Sequence, residues 1–173
     1  RGDDLSNHAG ERPSATRLPS LWDDARASAL SSQDLLVYRS NLLGADKRIT
    51  NYGGGNTSSK LKLADPLTGA PVEVMLVKGS GGDLGTIALD GFAALRMDRF
   101  SDIARRYTGP EMEDDVVGLY PHCAFGLNGR AASIDTPLHA LIDRPHVDHV
   151  HPDAIIAIAA SADGEAITRM VFG

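Results

Sequence analysis

His149 and His151 are separated by a single residue, in the stretch His146-Val147-Asp148-His149-Val150-His151-Pro152-Asp153. In an extended strand alternate side chains share a face, so a His-x-His pair aims two imidazoles at one point. This predicts a strand over residues 147–151 that ends in a site. Two converging neutral imidazoles are the start of a zinc-type centre. Such a centre also needs a third protein ligand or a carboxylate, and a substrate.

The carboxylate is sought upstream. Ser133-Ile134-Asp135-Thr136-Pro137-Leu138-His139 reads as a helix start. Ser133 or Asp135 can cap it, and Pro137 is tolerated only in its first turn. Asp135 and His139 then stand at i and i+4 on one face. Pro152–Ala159 opens a second helix, apolar enough to be well buried. With helix, strand and helix in this order, Asp135 and the imidazole pair can meet at one end of a sheet. His146, at the strand entrance, is read as structural.

Two glycine-rich stretches supply anion-binding chemistry. Thr50-Asn51-Tyr52-Gly53-Gly54-Gly55-Asn56-Thr57-Ser58-Ser59-Lys60 places three glycines before amide, hydroxyl and ammonium donors. Glycine allows positive φ and close backbone approach, and such donors suit a phosphate. The order is not that of a Walker A loop. A β-type run, Val72–Val77, empties into Lys78-Gly79-Ser80-Gly81-Gly82-Asp83, again a cation, glycines and a hydroxyl at a strand end. A pair of plain turns is the alternative reading of both.

The remaining chain reads as scaffold. Residues 1–20 are polar, without periodicity, and are expected to form a mobile arm before one domain over 21–173. Residues 20–47 look helical, with Ser31 or Ser32 as N-cap and Gly44 as a stop. Trp22 and Tyr38 are expected to pack. Phe92–Met97 reads as a strand, Asp98–Arg106 and Met112–Phe125 as helices, the latter with Glu113, Asp114 and Asp115 at its favourable N-terminal end. His122 and Cys123 are read as structural. Ile167–Gly173 reads as a strand just begun, and the chain is expected to be a fragment of a longer one. A net charge of −6 gives no support to nucleic acid or an anionic membrane as partner. The lone cysteine, Cys123, fits a reducing, cytoplasmic setting.

Gly55-Asn56-Thr57-Ser58, Lys78-Gly79-Ser80-Gly81, Ser133-x-Asp135-x-x-x-His139 and His149-x-His151-Pro152 follow the order of motifs in the class II aldolase/adducin head family. From about residue 30 onward the chain resembles that family. It is most similar to the aldolase half of bifunctional rhamnulose-1-phosphate aldolase/short-chain alcohol dehydrogenase proteins, in Pro121–Gly126 and Val147–Ala154. The resemblance implies an α/β fold, a three-layer α/β/α sandwich around a mostly antiparallel sheet, truncated at its C-terminal end. It implies a divalent metal, usually Zn²⁺, held by His149, His151 and a third histidine. No histidine follows His151 in this chain.

Asp135 falls where the family commonly has a metal-ligating, proton-moving glutamate, one methylene longer. Gly55, Asn56, Ser58, Ser80, Gly81 and Ser133 fall on the substrate-phosphate positions. The implied reaction is retro-aldol cleavage of a ketose 1-phosphate of the rhamnulose type, through a metal-stabilised enediolate, to dihydroxyacetone phosphate and an aldehyde. A homo-oligomer is implied, as is a possible fused C-terminal dehydrogenase. The alternatives are a sugar-phosphate epimerase or decarboxylase of the same superfamily and a non-catalytic adducin-like interaction module. Retention of His149 and His151 speaks against the last.

Overall fold

The computed structural model describes residues 19–173, so most of the expected arm lies outside the described residues. The helical stretch at the start is two helices, α1 (Asp24–Ser28) and α2 (Ser32–Ala45). Ser31 caps α2 by accepting from the Asp34 amide at 3.1 Å. Gly44 does not stop this helix. A Cβ there would stand 2.0 Å from the Gly85 nitrogen and 2.4 Å from the Leu84 carbonyl carbon. The glycine is needed for a backbone contact inside α2, not for a left-handed cap.

Four strands form one antiparallel sheet in the order β3-β2-β1-β4. They are β1 (Asn56–Ala64), β2 (Pro71–Lys78), β3 (Phe92–Arg96) and β4 (His146–His149). Residues 56–59, read above as the tail of a glycine loop, are the start of β1. Along β2 the strand period sorts apolar side chains to two faces. Val74 and Leu76 pack with Leu36 of α2, Phe92 and Ala94. Met75 and Val77 pack on the other face with Ala93 and Leu95, beneath Phe100 and Ile103 of α3 (Met97–Arg106). Val116 of α4 (Glu113–Leu119) and Ala140 of α5 (Thr136–Leu141) complete that side. Helices therefore cover both faces of the sheet, the three-layer arrangement the resemblance implies.

Three expectations need correction. The helix expected over Met112–Phe125 ends at Leu119, and a 3₁₀ turn holding Pro121 carries the chain through Tyr120–Cys123. Phe125 then donates to the Ala94 carbonyl at 2.8 Å. Helix α6 (Asp153–Ala160) is not buried: Ile155 and Ile156 are 45% and 44% exposed. Among the described residues its main packing partner is α7. Ile167–Gly173 is not a strand but most of that helix, α7 (Gly164–Phe172). Isoleucine, valine and phenylalanine suggested a strand, but backbone bonds such as Ile167 to the Asp163 carbonyl close a helix. No helix among the described residues is long and apolar enough to cross a membrane.

Candidate active site

The first four residues of β1, Asn56, Thr57, Ser58 and Ser59, are polar and buried. Buried polar groups require partners, and these come from both helix layers and the neighbouring strands. Thr57 Oγ1 lies 2.6 Å from Ser40 Oγ of α2. Ser58 Oγ lies 2.8 Å from His139 Nδ1 of α5. Ser59 Oγ lies 2.9 Å from His146 Nδ1 of β4. Asn56 donates to the Lys78 carbonyl at 3.3 Å. Arg39, which sequence reading did not single out, donates to Asp148 at 2.9 Å and to the Ser58 carbonyl at 2.6 Å, holding β4 to β1.

That pairing sets the histidines. Asn56 stands opposite His149 in the register. At the end of the strand, His149 Nε2 lies 3.1 Å from Nε2 of His151, which follows just past β4, with the rings edge to face. Two nitrogens on one tetrahedral zinc, each at 2.0–2.1 Å, stand about 3.3 Å apart. The pair therefore matches the spacing of two donors to one ion. His149 Nδ1 is buried without a hydrogen-bond partner and lies 3.7 Å from Asp135 Oδ1. A carboxylate on the far nitrogen of a ligating histidine is the usual orienting arrangement.

Among the described residues, no three His, Cys, Asp or Glu side chains converge to hold a metal by themselves. His139 and His146 are engaged with Ser58 and Ser59. The two-nitrogen set fits a metal and leaves room for further ligands.

Asp135 precedes α5, but its carboxylate does not cap the helix. It accepts from Ser133 Oγ at 3.2 Å and from Asn56 Nδ2 at 3.5 Å. One turn later His139 is fully buried, and burial lowers its pKa to about 4, so its ring is neutral near pH 7. Burial also lowers the pKa of Lys78, with Asp135 opposing the shift.

A cavity of about 420 Å³ joins these groups. Its walls include Gly53–Gly55, Lys78, Ser80, Gly81, Ser133, Asp135 and His151. The glycines are required where they stand. Gly55 has φ +74°, and a Cβ there would lie 2.9 Å from Thr50 Cγ2 and 3.1 Å from the His149 carbonyl. A Cβ on Gly54 would lie 3.0 Å from His151 Nδ1. The glycine turn thus packs directly on the His151 ring and the His149 backbone.

Of the residues singled out from sequence, Gly55, Ser80, Gly81, Ser133, Asp135 and His151 line the cavity; His149 does not, and Asn56 and Ser58 are buried behind the lining residues they bond or neighbour. Asp114, Val117 and Ile134 also line it. Asp114 and Val117 sit three apart on α4, a spacing that only the packing of that helix makes relevant.

Residues 35–172 match the family described as Class II Aldolase and Adducin N-terminal domain. Over 154 residues the chain is 41% identical to a Bacillus subtilis (strain 168) protein named uncharacterized oxidoreductase YuxG, an alignment covering 88% of this chain. The chain spans only 22% of the length of that relative. It is also similar to the solved N-terminal class II aldolase domain of a conserved protein from Thermoplasma acidophilum. The TM-score is 0.71 and the identity 31%, covering 90% of this chain and 68% of that one.

Proposed function

The chain belongs to the class II aldolase and adducin N-terminal domain family, and on that premise we propose that it is a metal-dependent aldolase domain acting on a ketose 1-phosphate of the rhamnulose 1-phosphate type. The products are dihydroxyacetone phosphate and an aldehyde. The observation that carries this reading is the meeting of Asp135, two glycine-rich turns and His151, whose Nε2 lies 3.1 Å from that of His149, at one cavity.

His149 and His151 would hold a divalent metal, zinc by the nature of the donors. Bound there, it supplies Lewis-acid polarisation of a ketone oxygen and stabilises charge as the carbon–carbon bond breaks. The chain's own residues do the rest. Gly55, Ser80, Gly81 and Ser133 receive the phosphate, with Lys78 adding positive charge. Asn56 and Ser58 act from below, by holding Asp135 and α5. Fixing the phosphate fixes which carbon faces the imidazole pair. Asp135, steered by Ser133, moves the proton between a substrate hydroxyl and the carbon released by cleavage.

The relative named an oxidoreductase supports a longer protein in which a dehydrogenase region oxidises the released aldehyde. The large apolar side chains exposed on α5, α6 and α7 support assembly into a homo-oligomer. The test is metal analysis of the purified full-length protein with a coupled assay for dihydroxyacetone phosphate. Stoichiometric zinc and phosphate-ketose cleavage are expected. A protein that carries no metal, or loaded protein that cleaves no ketose phosphate, would sink the aldolase reading.

A further inference from the structure

We propose that Arg130 is a positioning residue that turns the Ser80–Gly82 backbone into an anion-binding nest. This deepens the reading of the cavity as a phosphate site and rests on it. Arg130 Nη2 donates to the Ser80 carbonyl at 3.2 Å and to the Gly81 carbonyl at 3.3 Å.

Peptide planarity then decides where the amides go. In a trans peptide the N–H points opposite to the preceding C=O. With the Ser80 and Gly81 oxygens turned toward Arg130, the Gly81 and Gly82 N–H groups both point away from it. Neither donates to another backbone carbonyl. Two successive N–H groups on one side of the chain form a concavity for an anion. Ser80 and Gly81 line the cavity and Arg130 does not, so the guanidinium grips the outer side of the loop.

The rest of the loop is built around that grip. Gly81 and Gly82 have φ of +70° and +95°, a backbone that side chains resist. A Cβ on Gly79 would meet Arg130 Nε at 2.5 Å, so the glycine lets the side chain lie across the loop. Ser80 donates to the Ala131 carbonyl at 2.9 Å, tying the loop to the segment that carries Arg130. The Arg130 amide donates to Asn128 Oδ1 at 3.0 Å, and Asn128 donates to the Phe92 carbonyl at 3.0 Å. The strap is thus anchored to the edge strand β3. A lysine could keep the charge but not the planar fork that reaches two carbonyls.

The experiment titrates inorganic phosphate into the full-length protein, wild type and the variants Arg130→Ala and Arg130→Lys, by calorimetry at fixed ionic strength. Arg130→Ala is expected to bind about tenfold more weakly, and Arg130→Lys to recover little of the loss despite its charge. In turnover, KM for the phosphorylated ketose should rise while kcat changes little. Arg130 is exposed, so both variants should keep the wild-type melting temperature. Equal phosphate binding by wild type and Arg130→Ala, or full recovery by Arg130→Lys, would overturn the strap alone. Failure of the wild type to bind phosphate would overturn the underlying reading of the cavity as well.

Discussion

Ser58 Oγ and His139 Nδ1 lie 2.8 Å apart, and both residues are buried. This bond fastens α5 to β1 one helical turn after Asp135, so it sets how far the carboxylate reaches toward His149. The other ring nitrogen of His139 has no partner. Ser58→Ala would leave both nitrogens unsatisfied at a cost of about 1–3 kcal/mol. A lower urea midpoint is expected, together with reduced kcat. Unchanged stability and turnover would show that the bond holds nothing.

The same histidine makes stability depend on pH. Burial lowers its folded pKa to about 4 from the ordinary 6.5. Between those values the unfolded chain binds the extra proton, so this contribution to stability weakens as pH falls from about 6.5 toward 4. The span corresponds to about 3 kcal/mol. His139→Asn removes this term. The stability gap between wild type and variant, from urea melts at pH 7.5 and 4.5, should narrow by about 2–3 kcal/mol. A constant gap would contradict a buried neutral ring.

The imidazole pair was legible because one intervening residue in extended backbone is a local rule, although β4 ends at His149 and His151 lies just past it rather than within a strand over 147–151. Gly55 was legible because close approach and positive φ are properties of glycine itself. The start of β1 was not. Asn56, Thr57, Ser58 and Ser59 carry no apolar alternation, and their burial depends on Ser40, His139, His146 and Lys78, far away in sequence. Helix α7 was missed for the opposite reason. Its β-prone residues outweighed a helical pattern that no capping side chain announces. Gly44 shows a third limit, since a glycine near a helix end reads as a stop until a chain crossing it is seen.

That crossing yields a prediction. Gly44→Ala would drive a methyl group into the backbone of Leu84 and Gly85, at 2.0–2.5 Å. Backbone cannot rotate aside as a side-chain tip can, so the loss should reach or exceed the roughly 1–3 kcal/mol typical of overpacking. Alanine is otherwise the better helix former by about 1 kcal/mol. The sign of the change is therefore diagnostic. A higher melting temperature for Gly44→Ala would mean that α2 and the Leu84–Gly85 turn do not touch.

Asp135 stands on the Nδ1 side of His149, while the nitrogen facing His151 is Nε2. On the proposed reading, this geometry lets metal binding and proton transfer be tested separately. His151→Ala removes a donor and should abolish both zinc content and turnover. Asp135→Asn keeps the shape and both imidazoles. Losing the orienting charge should weaken zinc binding about 10–100-fold, yet the variant should still fill at saturating zinc. With the site filled, turnover should remain lower by about 10²–10⁴-fold, the share of a positioned acid–base group. Metal content by mass spectrometry and the coupled triose assay, run on the same samples, distinguish the two roles. Full turnover of zinc-saturated Asp135→Asn would leave Asp135 as an orienting partner of His149 and place the proton transfer on another residue of the cavity.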